Sequence, residues 1–438
     1  NKGMIMKLLV CLAALIMVLT PLATAKDLRT ARAESVGMSN ERLARIKPLL
    51  QRYVDEGKIA GIQTLIARKG KIDHFEQVGK LDLDTGSDLK DDSLFRIYSM
   101  TKPITTTAAM ILYEEGKLRL DDPVEKYLPA FKNQKVLIDG ALVDVTHAIT
   151  IRELMSHTAG LTYGIFGNSA IDQQYRAAMF GEDYQFDFSN TTINADASKI
   201  KTLDDLVNAI GPIPLQYQPG TQWVYSLSVD VLGAVIEKIS GQTLDIFMRE
   251  RLFEPLKMND TFFEVPQDKI HRFGTLQLKD AEGKLVVIDR PKTSGFSNNV
   301  TFFSGGGGLV SSAMDYLRYS QMMLNGGELN GVRILSPTTI DLMTRDQLSK
   351  EMRLKYDPRP GIMGDVSFGL GFGIAVQSPR IRSGSKGTYR WAGIAGTDFW
   401  IDPKEDLTAM ILVQMMGYPA ELRNEFKTLV YQAITEMN

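Results

Sequence analysis

FRIYSMTKPITTTAAMILYEEG, residues 95–116, decides how the rest of the chain is read. It opens on an apolar run, 94–98, and passes at Ser99 into helical spacing, with Ala108, Ala109, Ile111 and Leu112 on the apolar positions and a stop at Gly116. Ser99 stands where an N-cap belongs. Pro103 falls in the first turn, where its missing N–H is harmless and its φ is already helical. Lys102, three residues on, shares the Ser99 face and can reach back to the hydroxyl. The result is Ser-x-x-Lys, a candidate nucleophile beside its base. Ser87/Lys90, Ser198/Lys201 and Ser383/Lys386 repeat the spacing in polar, turn-like stretches, whereas Ser99 joins an apolar run to a long helix of buried character. The motif alone serves equally as a capping serine followed by a solvated lysine.

On the N-terminal side, residues 40–56 read as a charged helix, and 59–68 and 71–79 as a β-hairpin turned at Lys69-Gly70, before a polar loop over 82–92. On the C-terminal side, Asp121-Asp122-Pro123 begins a short helix that ends before Pro129, and Thr150 caps the next one. His157, near the end of that helix, reads as a structural hydrogen-bonder and stays outside the mechanism. Residues 162–197 are aromatic and rich in Asn, Asp and Ser without clear period, the composition of long surface loops or a lid. Helices are expected over 203–210, 229–239 and 244–252, with no convincing strand between Leu120 and Val265. Tyr225 immediately precedes the second of these. A hairpin follows around Glu282-Gly283. Gly305 to Gly308 lead into a helix capped by Ser311 or Ser312, and without a phosphate-loop context they predict close backbone packing. Strands over 368–376, 388–391, 397–401 and 407–415 and a helix over 420–436 complete the chain.

Strands at both ends and helices between them predict an α+β fold. One sheet is assembled from residues 26–120 together with 290–438, and residues 121–289 form a mainly helical lobe, with the site between the two.

The 438 residues are 44% hydrophobic and 23% charged, with a formal net charge of −2, so a large core is available and no basic surplus calls for nucleic acid. Residues 1–25 show a basic start, an apolar run broken at Pro21 and a small-residue ending at Ala23-Thr24-Ala25, which predicts a signal peptide and export to the periplasm or beyond the cell, with an uncleaved membrane anchor as the alternative. Its loss removes Lys2 and Lys7 and no acid, moving the net charge from −2 to −4, and removes Cys11, the one cysteine. No membrane contact is then expected of the mature chain, and disulfide and thiol chemistry are excluded. The four histidines show no tight ligand spacing, so no metal site is expected.

Three separated pieces, Ser99-Met100-Thr101-Lys102, Tyr225-Ser226-Leu227 and Trp391-Ala392-Gly393, resemble in this order the three motifs of the serine β-lactamase and penicillin-recognising superfamily. Within it the chain is similar to the class C β-lactamase-like esterases, the family VIII carboxylesterases. LDDPVEKYLP, LMSHTAGLTYG, QPGTQWVYSLSVDVLG, FSGGGGLVSSAMDY and GTDFWIDP extend the likeness over nearly the whole mature chain. The resemblance implies a five-stranded-type antiparallel sheet flanked by helices plus a helical lobe, a small-molecule ester as substrate and no cofactor; oligomeric state stays open. It implies Ser99 as nucleophile, Lys102 as base, Tyr225 as their proton partner, and an oxyanion hole from the backbone N–H groups of Ser99 and Ile394. Leu227 stands where class C enzymes carry asparagine, and Trp391-Ala392-Gly393 where others carry Lys-Thr-Gly, so Leu227, Trp391 and Gly393 are expected around the substrate without the third-motif cation. A β-lactamase or D-amino-acid peptidase is the alternative chemistry. A Ser-His-Asp lipase is disfavoured because no G-x-S-x-G occurs. A non-catalytic cell-wall-binding protein differs from all of these in taking no serine-hydrolase probe.

Overall fold

The structure, a computed structural model, describes residues 28–182, 184, 199–356, 366–377 and 383–438. The expected signal peptide, residues 183 and 185–197 of the expected 162–197 loop region, and Ser198 lie outside the described residues, and the described part of that region is not loop throughout, because Ser169 caps a helix over Ala170–Phe180.

Lys69 and Gly70 both take left-handed φ, 52° and 70°, which a two-residue hairpin turn requires, and they join strands Gly61–Arg68 and Lys71–Gly79. The C-terminal strand Leu407–Val413 lies antiparallel against this hairpin, with Leu407 opposite Arg68 and Val413 opposite Ile62. The sheet then continues through Asp398–Asp402, Tyr389–Ala392, Gly373–Ala375 and Val366–Phe368. The short Arg29–Thr30 strand closes the other edge in parallel. Both chain ends thus build one sheet, of eight strands rather than five.

The three central strands, Gly61–Arg68, Asp398–Asp402 and Leu407–Val413, are buried at every residue because both faces of the sheet are covered. Ile62, Ile66, Trp400, Ala409 and Ile411 face a core formed with helices Ile46–Asp55 and Ala420–Gln432. The alternating set, Leu65, Ala67, Phe399, Ile401, Met410 and Leu412, faces the larger core with helices Thr101–Glu114 and Ala313–Leu324. Thr101–Glu114 is buried from Thr101 to Leu112, and it packs on the Ser228–Ser240 helix of the middle segment.

Several expectations need correction. The helix expected over 40–56 is broken into Asn40–Leu43 and Ile46–Asp55. The region between Leu120 and Val265 does contain strands, Lys135–Ile138 and Ala141–Asp144, because Asp139 (φ 49°) and Gly140 (φ 82°) make a tight hairpin turn. The strand expected over 368–376 is two short strands doubled back on each other, turned where Gly371 takes φ 84°. Ser99 is not the N-cap of the long helix. A single 3₁₀ turn, Tyr98–Met100, precedes it, and Met100 occupies the cap position with no side-chain hydrogen bond.

Candidate active site

The Ser99 turn is held from three sides. Strand Leu94–Arg96 pairs with Val310–Ser312. Ile97 N–H donates to the Leu309 carbonyl at 3.0 Å, and Gly393 presses against the Ile97 carbonyl so closely that a Cβ there would lie 2.6 Å from it. Between these anchors Tyr98 is forced to φ 42°, a left-handed conformation costing a non-glycine residue about 1–3 kcal/mol. The Phe296 ring packs edge-on against Tyr98 at 5.5 Å, and Ile394 joins Tyr98 in the same small apolar cluster. Freed from capping, the Ser99 hydroxyl accepts a hydrogen bond from Lys102 Nζ at 3.2 Å.

Lys102 is 0% exposed. Its ammonium also donates to the Tyr163 hydroxyl at 2.7 Å and to the Gly306 carbonyl at 2.6 Å, and it lies 4.6 Å from the centre of the Tyr225 ring. Its hydrogen-bond partners among the described residues are these three neutral oxygens, none of them a carboxylate. Burial, and then the neighbouring Tyr225 and Asp230, push the Tyr163 hydroxyl well above its usual range, so it stays protonated as a fixed acceptor for the ammonium. The Tyr225 oxygen instead accepts from Trp391 Nε1 at 3.3 Å.

Around this polar centre stands an aromatic wall. Tyr225 stacks on Trp223 with centroids 6.0 Å apart and meets Tyr163 at 5.2 Å and Trp391 at 5.4 Å; Phe368 meets Trp391 edge-on at 5.1 Å. His157 lies beneath, 4.9 Å from Tyr225. It takes φ 56° at the end of the Ile151–Ser156 helix, and Nδ1 shares a 3.2 Å hydrogen bond with Ser226. Burial, reinforced by Lys102, holds its ring well below the usual histidine range, hence neutral. Leu227, expected at the substrate, is 8% exposed and belongs to the main core.

Of the residues singled out in the sequence, the fold brings Ser99, Lys102, Tyr225 and Trp391 together and sets Gly393 and Ile394 beside the Ser99 turn. Ser226 is tied to His157 and Ser228, Ser311 to Thr261, and Ser312 caps the Ala313–Leu324 helix. Sequence reading missed Tyr163, Asp230 and the carbonyl of Gly306. The glycine run does serve close packing, since a Cβ on Gly305 would meet the Val229 carbonyl at 2.7 Å and one on Gly306 the Asp230 carboxylate at 2.3 Å. Among the described residues no group of three or more His, Cys, Asp or Glu side chains is placed to hold a metal ion, and no helix is long and apolar enough to cross a membrane.

Comparison with known proteins agrees with this architecture. The family profile described as Beta-lactamase matches residues 46–432. Protein Rv1367c of Mycobacterium tuberculosis is 34% identical over 381 residues, covering 83% of this chain and 88% of that one. Esterase EstB of Burkholderia gladioli is 29% identical over 388 residues, covering 84% and 89%. The solved structure of EstCE1, a hydrolase with promiscuous acyltransferase activity, superposes with a TM-score of 0.74 at 26% identity, covering 89% of this chain and 99% of that one. A sheet built from both chain ends beside a Ser-x-x-Lys turn with a buried lysine, together with a profile match over residues 46–432, places the chain in the Beta-lactamase family.

Proposed function

We propose that the chain is an exported serine carboxylesterase that hydrolyses short-chain esters through an acyl-enzyme on Ser99. The observation that carries this reading is the fully buried Lys102, hydrogen-bonded to Ser99 and to other neutral oxygens. A serine hydroxyl needs a base to take its proton, and a lysine without a direct carboxylate partner can give up its own proton to become that base. Tyr225 is the proton partner, because its ring centre lies 4.6 Å from the Lys102 ammonium and its oxygen is held by the Trp391 indole N–H. Tyr163 holds the ammonium in place. The proton from Ser99 passes to this Lys102–Tyr225 pair as Oγ attacks the ester carbonyl, and returns to the leaving alcohol. Water repeats the sequence to release the acid. Backbone N–H groups of Ser99 and Ile394 receive the oxyanion, each contributing ~3–4 kcal/mol of transition-state stabilisation. Residues 26–120 with 290–438, and residues 121–289, are the two lobes that meet at this site.

The substrate class follows from the wall opposite Lys102. β-Lactams and D-alanyl peptides carry a carboxylate near the reacting carbonyl, which costs several kcal/mol to bury unpaired. Trp391 occupies the third-motif position. Its neighbour Arg390 points to the other face of the strand and pairs with Asp398 at 2.5 Å, which removes that cation from consideration as a carboxylate anchor. An aromatic wall stabilises the alkyl or aryl group of a neutral ester instead. The resemblance of the chain to EstB and EstCE1 supports the same class. The test is kcat/KM for p-nitrophenyl butyrate against a chromogenic cephalosporin. A large preference for the ester is expected, and equal or higher efficiency on the cephalosporin refutes the assignment.

A further inference from the structure

The first turn of the Ser228–Ser240 helix carries a carboxylate in a fully packed place. Asp230 is 2% exposed, and Val229, Val231 and Leu232 around it are all at 0%. Such a group is kept only where it is hydrogen-bonded or paired. Its Oδ1 accepts from the Gly306 N–H at 3.0 Å and from the Ser304 hydroxyl. Gly306 in turn presents its carbonyl to Lys102. One glycine therefore carries the carboxylate on its N–H and the ammonium on its C=O, and only glycine leaves room for that carboxylate. Burial raises the Asp230 carboxyl above its usual range, and Lys102 leads the interactions that draw it back, ahead of Ser304 and Gly306.

We infer that Asp230 is a positioning residue, the buried counter-ion that sets the proton affinity of Lys102 from one residue away. The inference rests on the reading of Lys102 as the base at Ser99. A carboxylate in direct contact would lock the proton on the lysine. Set back behind Gly306, it makes a buried ammonium tolerable while Nζ still faces the hydroxyls of Ser99 and Tyr163. The other groups around Lys102 are the Tyr225 ring and the neutral His157, so among the described residues Asp230 supplies the negative charge that this cation meets.

The test is the acid limb of kcat/KM for p-nitrophenyl butyrate, which reports the free enzyme's base. Asp230→Asn keeps the shape and an oxygen for both donors while removing the charge. With the anion gone Lys102 releases its proton more readily, so the limb moves to lower pH by about 1 unit. Asp230→Ser, smaller and also neutral, moves it the same way and serves should the asparagine variant fail to fold. A folded neutral variant that loses Tm and kcat while its limb stays at the wild-type pH overturns the inference and leaves Asp230 a structural group. Failure of the underlying reading is distinguishable, since it appears without any change at Asp230, as full turnover in Ser99→Ala or Lys102→Ala.

Discussion

Arg68 and Arg96 are buried as completely as Lys102, each 0% exposed, yet their surroundings differ in kind. Arg68 pairs with Glu405 at 2.9 Å and donates to the carbonyls of Gly37, Glu405 and Glu436, tying the first strand hairpin to the chain's last residues. Arg96 pairs with Asp289 at 2.7 Å and donates to the Gly274 carbonyl and the Gln414 side chain. Both are permanent cations matched to an anion and fixed acceptors, an arrangement that joins distant segments and has no proton to give. Lys102 has the opposite design. Two of its three hydrogen bonds go to hydroxyls, and its balancing charge stands one residue off. With Lys102 as the proposed base, the contrast separates a cation that holds the fold from one that takes part in the chemistry.

Removing each type of cation's partner or charge should separate the two roles. Lys102→Met, which fills the same volume, is expected to lower kcat by ~10²–10⁴-fold with little change in KM, while the fold survives because Asp230 can take up a proton. Steady-state kinetics alongside thermal melting check this, and near-normal kcat would return Lys102 to the structural class. Asp289→Ala is the converse. It strands the Arg96 guanidinium in the core and should cost about 3–5 kcal/mol in denaturant unfolding, with kcat per folded molecule close to wild type. A loss in kcat as large as that of Lys102→Met would erase the distinction.

A smaller effect sharpens the comparison from the side of an unpaired anion. No other residue's hydrogen bond reaches the Asp73 oxygens among the described residues, and burial, opposed by its own backbone N–H and by the Arg68 charge, raises this carboxyl from 3.8 to about 7. The folded state therefore favours its neutral form. Its contribution is fully present below about pH 4 and is lost as the pH rises through 7. Asp73→Asn should match the wild type near pH 4 and exceed it at pH 8 by ~2 °C in Tm, and an equal Tm at both pH values would show the carboxyl to be solvated.

The residues that were legible in the sequence are those whose role is local. Ser-x-x-Lys between an apolar run and a helix, the Lys69-Gly70 hairpin and the two-faced apolar strands all announce themselves within a few residues. The 3₁₀ turn at Tyr98–Met100 escaped because Ser99 and Pro103 have the spacing of an ordinary helix start, and its cause, Gly393 pressing on Ile97, lies almost 300 residues away. Tyr163 sits in a loop, 61 positions from the lysine it touches. Asp230 is an unremarkable residue for a first helical turn, where acids complement the helix dipole, and nothing nearby tells that it is buried. The hairpin at residues 135–144 had a readable signal in its Asp139-Gly140 turn, which the helical character of its surroundings masked.

Mass spectrometry of the full chain, quenched during turnover of a slow ester or after reaction with a fluorophosphonate, tests the central claim most directly. A single acyl or phosphonyl adduct on Ser99 is expected, formed faster as the pH rises and abolished in Ser99→Ala. An adduct on Ser226, Ser311 or Ser312, or undiminished ester hydrolysis by Ser99→Ala, would contradict it.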